Sequence, residues 1–390
     1  MRILGIVAEY DPFHRGHESH LRAARAAVSP SAVYIALSPC FRQRGELAFL
    51  SPYSRARCAL ASGADAVFAL PVAHVLCDGE RYAFHAVSLL QALGCTHLAF
   101  GAESADLSSL QRAADLMDDP TPDMRRVLRV LLEEGMGFPE ARDRALRSEF
   151  PEAGDLLSLP NNILAVSYLR AIRKCGSMLR PVPIPRRGND HADLIDPQSP
   201  SASAVRAALL RGDWASALPA LSPCSREEVR KAFLRHCIPD AAILDHLLLS
   251  RLRNMTLEQA SLLPDLSEGL EHRLLQAAGS ANSRSGLLSR VVSRRYSRAR
   301  ISRLCAAALL GLRRDKLPAS PPPEVLLLGL RKNQDFTASW RNLPLRILST
   351  LRESKNPPLW ETDLTAWKIW AQCASLPDTL PFSEKMVTMV

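Results

Sequence analysis

The stretch that decides the fold is residues 1–21, MRILGIVAEYDPFHRGHESHL. Residues 3–9 form a short apolar run that predicts a buried strand, and a turn then leads into an amphipathic segment that carries His14, Gly16 and His17. A helix N-terminus offers free backbone N–H groups, and a glycine there lets a phosphate approach the backbone. The stretch therefore predicts a strand–turn–helix unit that binds a nucleotide.

Further apolar runs alternate with amphipathic segments along the next hundred residues. They cover 32–37, 66–71 and 96–101. This alternation indicates βαβ units and a parallel sheet buried on both faces, as in Rossmann-like α/β folds. A fifth strand over 180–187 contains prolines, which predicts a position at a sheet edge or a strand end.

The carboxyl ends of parallel strands form the ligand-binding edge of such a sheet. The segments that follow the first, second and fourth strands are 9–17, 38–46 and 101–104. We expect all three to line one cleft.

Charge divides the chain into two parts. Residues 1–215 hold 24 basic and 24 acidic side chains, whereas 216–390 hold 25 basic and 16 acidic ones and so supply the whole net charge of +9. We predict an α/β nucleotidyltransferase domain over 1–218, followed by a mainly helical, basic domain over 219–390. Arginine outnumbers lysine 42 to 7, so a compositional bias is an alternative origin of the excess.

Several classes of protein are disfavoured by composition. The nine cysteines are odd in number and contain no CxxC pair, so neither a disulfide framework nor a zinc site is expected. No run approaches the roughly twenty apolar residues of a membrane span, and no leader peptide is evident. We expect a cytoplasmic protein with no metal held by its own side chains and no obligate protein partner.

The two histidines carry the predicted chemistry. His14 and His17 stand at i and i+3, so both imidazoles can face the cleft and donate hydrogen bonds to a phosphorus centre as charge develops. This suits nucleotidyl transfer, in which the α-phosphorus of ATP is attacked and pyrophosphate leaves. The alternative is a chance pattern of two surface histidines. His20, one turn further on, joins them or is solvated.

Three other motifs have a functional and an ordinary interpretation. Ser201 and Ser203, with Arg206 nearby, suit a clamp for the β- and γ-phosphates at a helix start, or a simple N-cap. Arg44 lies in the loop Gln43–Glu46. The functional interpretation is that this loop contacts a substrate or a nucleic acid, and the ordinary one is that it is a solvated turn. The pair 161–162 (Asn-Asn) contacts the nucleotide or caps a helix.

The densest basic stretch lies in the second part of the chain. Its arginines surround Tyr296 and are Arg284, Arg290, Arg294, Arg295, Arg298, Arg300 and Arg303. Such a cluster favours contacts with nucleic-acid phosphates, the alternative being a solvated helical face.

The motifs together resemble the bacterial tRNA(Met) cytidine acetate ligases, a branch of the HIGH-type nucleotidyltransferase superfamily. The resemblance extends in order over roughly the first 310 residues and rests on 5–17, 43–46, 70–71, 100–103, 160–164, 201–206, 268–271 and 295–301. The chain departs from the family pattern at several positions. Asp11 stands where Asn is usual, Pro39 and Cys40 replace Gly-Asn, Ala69 replaces Glu, Cys77 replaces Gln, and 189–191 is altered.

The resemblance implies a two-step reaction. ATP and acetate would give acetyl-adenylate and pyrophosphate, and the wobble cytidine of elongator tRNA(Met) would then be acetylated at N4. Magnesium is expected with the ATP. The implied ATP contacts are Val7, Ala8, Glu9, Tyr10, Gly16, His20, Gly101, Asn161, Asn162, Arg186 and Arg187, and those predicted for tRNA are Arg44, Arg294, Arg295, Arg298 and Arg300.

Two other functions compete with this one. A small-molecule adenylyltransferase of cofactor biosynthesis would use the same first step, but it would need no basic appendage. A non-catalytic RNA-binding protein on the same fold would be expected to have lost His14, Gly16 or His17, and all three are present.

Overall fold

The computed structural model describes all residues except 187–194, 197–199, 268, 318–319, 333–334, 378–385 and 390. One eight-stranded sheet organises the chain. Its first five strands are β1 (Ile3–Ala8), β2 (Ala32–Leu37), β3 (Ala66–Ala69), β4 (His97–Ala102) and β5 (Arg180–Pro185). All pairings among these five are parallel, and β5 forms one edge of the sheet. The predicted α/β class and the edge position of the proline-containing strand are confirmed.

Helices cover both faces of the sheet. Those of the first part of the chain are α1 (Arg15–Val28), α2 (Pro52–Ala61), α3 (Val72–Val75), α4 (Gly79–Ala92), α5 (Leu107–Asp118), α6 (Pro122–Glu133), α7 (Phe138–Glu149), α8 (Ala153–Leu156), α9 (Pro160–Lys174) and α10 (Ala202–Leu210). The apolar faces of α1 and α2 pack on one side of the sheet, and those of α4, α5 and α9 on the other. Both faces of the central strands are therefore buried, which explains their continuous apolar sequences.

The second part of the chain is rich in helices, as expected. They are α11 (Trp214–Ala217), α12 (Pro223–Leu234), α13 (Ala241–Arg253), α14 (Leu257–Ser261), α15 (Leu270–Ser280), α16 (Arg284–Val291), α17 (Arg298–Leu310) and α18 (Glu361–Cys373). Buried side chains of α13, α15 and α17 belong to the same apolar cluster as residues of β1 and β2. One continuous apolar core thus joins the helical part to the sheet.

The chain also returns to the sheet after residue 323. Three strands extend it, namely β6 (Glu324–Arg331), β7 (Arg346–Leu348) and β8 (Val387–Met389). β6 pairs antiparallel with β3, and β7 and β8 pair with β6. The predicted mainly helical part of the chain therefore also contributes strands to the first sheet, which was not expected. The division at residue 218 stays a prediction about organisation along the chain.

Candidate functional site

A large cleft lies at the carboxyl ends of β1 and β4 and beside the loop that follows β2. Its volume is about 580 Å³. The expectation that these segments share one cleft is confirmed. The lining residues predicted from the sequence are Val7, Ala8, Glu9, Tyr10, His14, Gly16, His17, His20, Arg44, Gly101, Asn161, Arg186, Ser201 and Ser203. Asn162 does not line the cleft, and Arg187 lies outside the described residues.

His14 and His17 form a reciprocal cap at the start of α1. The backbone N–H of His17 donates to Nδ1 of His14 at 3.3 Å, and the N–H of His14 donates to Nδ1 of His17 at 3.2 Å. The two rings stack with their centroids 3.6 Å apart. Because each Nδ1 accepts a hydrogen bond, each neutral ring carries its proton on Nε2. The cap thus fixes the tautomer that makes Nε2 a donor.

The imidazoles of this cleft are held in their neutral form. Burial, with further effects of Arg186 and Arg206, lowers the pKa of His14 to about 3. Burial and Arg186 lower the pKa of His20 to about 4, and burial also places the pKa of His17 well below its usual value. Nε2 of His14 and Nε2 of His20 are buried and have no partner among the described residues. These are the atoms expected of a site that receives a polar ligand.

Two glycines leave room for these rings. A Cβ on Gly16 would stand 3.0 Å from Cε1 of His14, so a side chain there would displace the imidazole. A Cβ on Gly101 would stand 3.8 Å from His20 and 3.7 Å from Arg186, within the cleft itself. The need for glycine at position 16 therefore comes from the protein's own histidine as well as from any phosphate.

The side chains of Asn161 and Asn162 have different roles. The side-chain oxygen of Asn161 accepts from Arg186 at 2.9 Å, which holds that guanidinium at the cleft. Glu103 accepts from the backbone N–H groups of both asparagines, so a carboxylate caps α9. The side chain of Asn162 is fully buried and accepts from the N–H of Ser104. Asn162 thus shapes the loop after β4 rather than the cleft surface.

The Ser201–Arg206 motif is brought against the opening turn. Ser201 caps α10 by accepting from the N–H of Ala204, and its hydroxyl lies 2.7 Å from that of Ser203. Arg206 donates to the carbonyl oxygen of Asp11. The ordinary N-cap interpretation is therefore correct, and the same residues also line the cleft.

Asp11 has a clear structural task. Its carboxylate accepts from the N–H of Phe49 at 2.8 Å and from that of Leu50 at 3.2 Å, and it lies 3.4 Å from Arg42. Two neighbouring arginines, Arg42 and Arg206, supply the positive charge that a buried carboxylate requires. Asp11 thereby ties the turn after β1 to the loop after β2.

Arg55 is a structural residue of the site that sequence patterns did not single out. Its guanidinium is fully buried and donates to the carbonyl oxygens of Glu9 at 2.7 Å and Ser38 at 2.8 Å. It also donates to Pro39 and Leu50. It therefore holds the carboxyl ends of β1 and β2 together beneath the cleft. The one available signal was an arginine within the small, apolar residues of α2.

The helical part of the chain reaches the cleft through the loop 42–46. Gly45 has a φ of 77° and seats its backbone against Ser302 and Arg303 of α17 so closely that a Cβ would stand 2.6 Å from their atoms. Arg284 and Ser302 both donate to the carbonyl oxygen of Gly45, at 3.0 and 3.2 Å. Arg44, its neighbour, is exposed and lines the cleft. The basic stretch is therefore adjacent to the site.

The predicted tRNA contacts fall into two groups. Arg294, Arg295 and Arg298 are exposed and form no ion pair with any described residue. Arg300 instead donates to the carbonyl oxygen of Asp265 at 3.0 Å and lies over the ring of Tyr296. Arg300 thus helps to hold the basic segment in place, and its contact with RNA stays a prediction.

No metal site of protein ligands stands out in the described part of the chain, where no group of three or more His, Cys, Asp or Glu side chains is placed to hold an ion. Nor does any helix among the described residues have the length and apolarity needed to cross a membrane.

Known proteins with similar sequences identify the family of this chain. The sequence profile of the HIGH Nucleotidyl Transferase family matches residues 1–380, and this match makes the chain a HIGH-type nucleotidyltransferase. Curated relatives are named tRNA(Met) cytidine acetate ligase. The protein from Syntrophomonas wolfei is 37% identical over 81% of this chain and 78% of its own, and that from Syntrophotalea carbinolica is 36% identical over 92% and 88%. The chain belongs to the tRNA(Met) cytidine acetate ligase family.

Solved structures agree with this placement. The apo form of Thermotoga maritima TmcAL has a TM-score of 0.92 at 27% identity, and each chain is covered over 100% of its length. A second form of that protein, bound with alpha-thio ATP, has a TM-score of 0.89 at 28% identity with the same coverage.

The depressed histidine pKa values make folding sensitive to acid. The unfolded chain binds a proton on His14 below about pH 6.5, whereas the folded chain does so only near pH 3, so protons favour unfolding between these values. We expect the free energy of unfolding to fall by on the order of 1–2 kcal/mol for this ring between pH 7 and pH 5. Urea titrations at the two pH values measure it, and His14→Asn should narrow the difference. If the change in unfolding free energy between pH 7 and pH 5 is the same in His14→Asn as in the unmodified protein, His14 is not the group that causes it.

Proposed function

We propose that this chain is an ATP-dependent ligase that activates acetate as acetyl-adenylate and transfers the acetyl group to N4 of the wobble cytidine of elongator tRNA(Met). The observation that carries the proposal is the stacked pair of histidines, each with its Nδ1 bonded to a backbone N–H, in the same cleft as Arg186 and the Ser201–Arg206 motif. Acetate and tRNA(Met) are proposed as substrates because curated relatives are named tRNA(Met) cytidine acetate ligase. ATP is proposed as the nucleotide because a related structure is bound with alpha-thio ATP.

The cleft offers a donor set suited to the first step. An acetate oxygen attacks the α-phosphorus of ATP, and the bond to the pyrophosphate oxygen breaks. Negative charge then develops on the phosphoryl oxygens, which the Nε2–H groups of His14 and His17 can stabilise. The fixed charges of Arg186 and Arg206 attract the phosphates, and the hydroxyl groups of Ser201 and Ser203 are placed to bind the leaving pyrophosphate.

Magnesium is proposed only as a companion of ATP. Of the two carboxylates that line the described cleft, Asp11 is already engaged by backbone N–H groups and arginines. No step is assigned to the ion. Because the second substrate is a tRNA, we place the reaction in the cytoplasm.

Labelled acetate provides the decisive test. Purified full-length protein is incubated with labelled acetate, ATP and tRNA(Met), and label entering the RNA supports the ligase. Acetate-dependent pyrophosphate exchange without RNA labelling would favour the small-molecule adenylyltransferase. If no ATP is turned over with any small acid, the non-catalytic RNA-binding protein is the interpretation that remains.

The exposed arginines next to α17 are expected to hold RNA phosphates. Replacing Arg294, Arg295 and Arg298 together by alanine should weaken tRNA binding at least about tenfold and lower the slope of log affinity against log salt by about 2, since each lost phosphate contact removes roughly 0.7–0.9. The matched control replaces Arg125, Arg126 and Arg129, three exposed arginines of α6. Unchanged affinity in the first variant would place the RNA elsewhere.

A further inference from the structure

The opening turn contains a carboxylate that the activation step does not use. Glu9 directly follows β1 and lines the cleft with its neighbours. A negative charge at this position repels the phosphates of ATP, so phosphate binding gives the side chain no task. Its backbone is fixed from below by Arg55, which donates to the Glu9 carbonyl oxygen at 2.7 Å.

One oxygen of this carboxylate is held and the other is available. Oε1 accepts from the backbone N–H of Gln43 at 2.7 Å. Oε2 forms no hydrogen bond or ion pair with any described residue, and it is not enclosed among buried atoms. Asp11, the other carboxylate of the cleft, has both oxygens engaged. Glu9 is therefore the carboxylate that can act on a ligand.

Two buried phenols lie beside the Glu9 carboxylate. Burial raises the pKa of Tyr82, and the charge of Glu9 raises it further. The pKa of Tyr168 is raised by burial, by Tyr82 and by Glu9. Both phenols thus lie near the carboxylate and stay protonated at neutral pH. Neither phenol can therefore remove a proton from a substrate.

The position of Glu9 also fits the path of the RNA. Gln43, which holds its Oε1, precedes the exposed Arg44, and the next residue, Gly45, is seated on α17. RNA phosphates bound along the basic stretch would therefore meet the cleft at the loop that anchors Glu9. The exocyclic amine of cytosine is a hydrogen-bond donor for which glutamate is a matched acceptor.

We propose that Glu9 is the general base of the second step, a role that rests on the proposed function. Its Oε2 accepts a hydrogen bond from the N4 amine of the cytidine. The nitrogen lone pair forms the bond to the acetyl carbon, and the bond between that carbon and the phosphate oxygen of acetyl-adenylate breaks. AMP leaves with the electron pair, and Glu9 takes the proton lost by N4 and returns it to solvent.

Separating the two steps tests this role. Glu9→Gln keeps the size of the side chain and an oxygen for the Gln43 bond, but it cannot take up a proton. We expect tRNA affinity to stay within about threefold of the unmodified protein, and any loss of acetate-dependent pyrophosphate exchange to be at least tenfold smaller than the loss of transfer. Single-turnover transfer from acetyl-adenylate to tRNA should fall by about 10²-fold or more, the usual contribution of general-base catalysis. Glu9→Asp, which retains a shortened carboxylate, should recover part of the transfer.

The same substitution on α4, Glu80→Gln, is the matched control and should leave both steps unchanged, because the Glu80 carboxylate pairs with Arg142 and Arg170 and none of these three residues lines the cleft. If the transfer rate of Glu9→Gln is within about threefold of that of the unmodified protein, Glu9 serves only to anchor the loop. Equal loss of exchange and transfer would assign it to activation, for example through magnesium. Either result overturns the inference, whereas a wild-type protein without acetate-dependent exchange would overturn the proposed function itself.

Discussion

Glutamine in place of His17 is expected to lower acetate-dependent pyrophosphate exchange by about 10²–10³-fold, the range measured when one transition-state donor is removed. The substitution is chosen because His17 occupies the third position of α1, where glutamine can make the same bond back to the backbone N–H of residue 14. The helix start is therefore retained, while the imidazole ring and its proposed Nε2–H donor are lost.

Two controls separate catalysis from folding in this experiment. The urea midpoint of His17→Gln should match that of the unmodified protein, and its affinity for tRNA should persist. His14→Asn gives an independent version, since asparagine is among the best N-cap residues and leaves the cap while removing the imidazole. Exchange within about threefold in both variants would show that the histidines serve only as a cap.

Methionine in place of Arg55 is expected to have the largest effect on stability. The guanidinium is fully buried and satisfies four backbone carbonyl groups at the ends of β1 and β2 and in the following loop. Methionine fills similar volume but leaves these oxygens without donors and removes one of the positive charges near Glu9 and Asp11. We expect the free energy of unfolding to fall by about 3–5 kcal/mol.

Urea denaturation followed by circular dichroism measures this loss. Arg22→Met, the same change at an exposed arginine of α1, is the control and should alter the free energy of unfolding by less than about 0.5 kcal/mol. If Arg55→Met has the same urea midpoint as the control, water replaces the guanidinium without loss of unfolding free energy. That result would contradict the role of Arg55 in holding the strand ends together.

The sequence was sufficient wherever one local pattern determined the structure. β1, β2, β3 and β4 are short apolar runs bounded by turn residues, and these runs agree with the strands to within one or two residues. The start of α1 was also predictable, because the histidine pair at i and i+3 directly follows the first strand and opens an amphipathic segment. The strands' shared edge then brought Gly101 and Arg186 to the same cleft.

Contacts between distant parts of the chain were not predictable in this way. β6 joins β3 across a long stretch of intervening chain, and no local signal indicates which sheet a single apolar strand will enter. Arg55 resembles any other helical arginine until the carbonyl groups around it are known. Arg294 and Arg300 are alike in sequence, yet only the second is tied to the backbone of Asp265.

The pairing of β6 with β3 has a consequence for how the protein can be divided. A fragment ending at residue 218 would leave the hydrogen-bonding edge of β3 uncovered, in the centre of what should be a continuous sheet. Bare strand edges recruit other chains and promote aggregation. We therefore expect a fragment of the first 218 residues to aggregate rather than to fold on its own. The sheet is completed by the far end of the polypeptide, so the two parts of the chain depend on each other for stability.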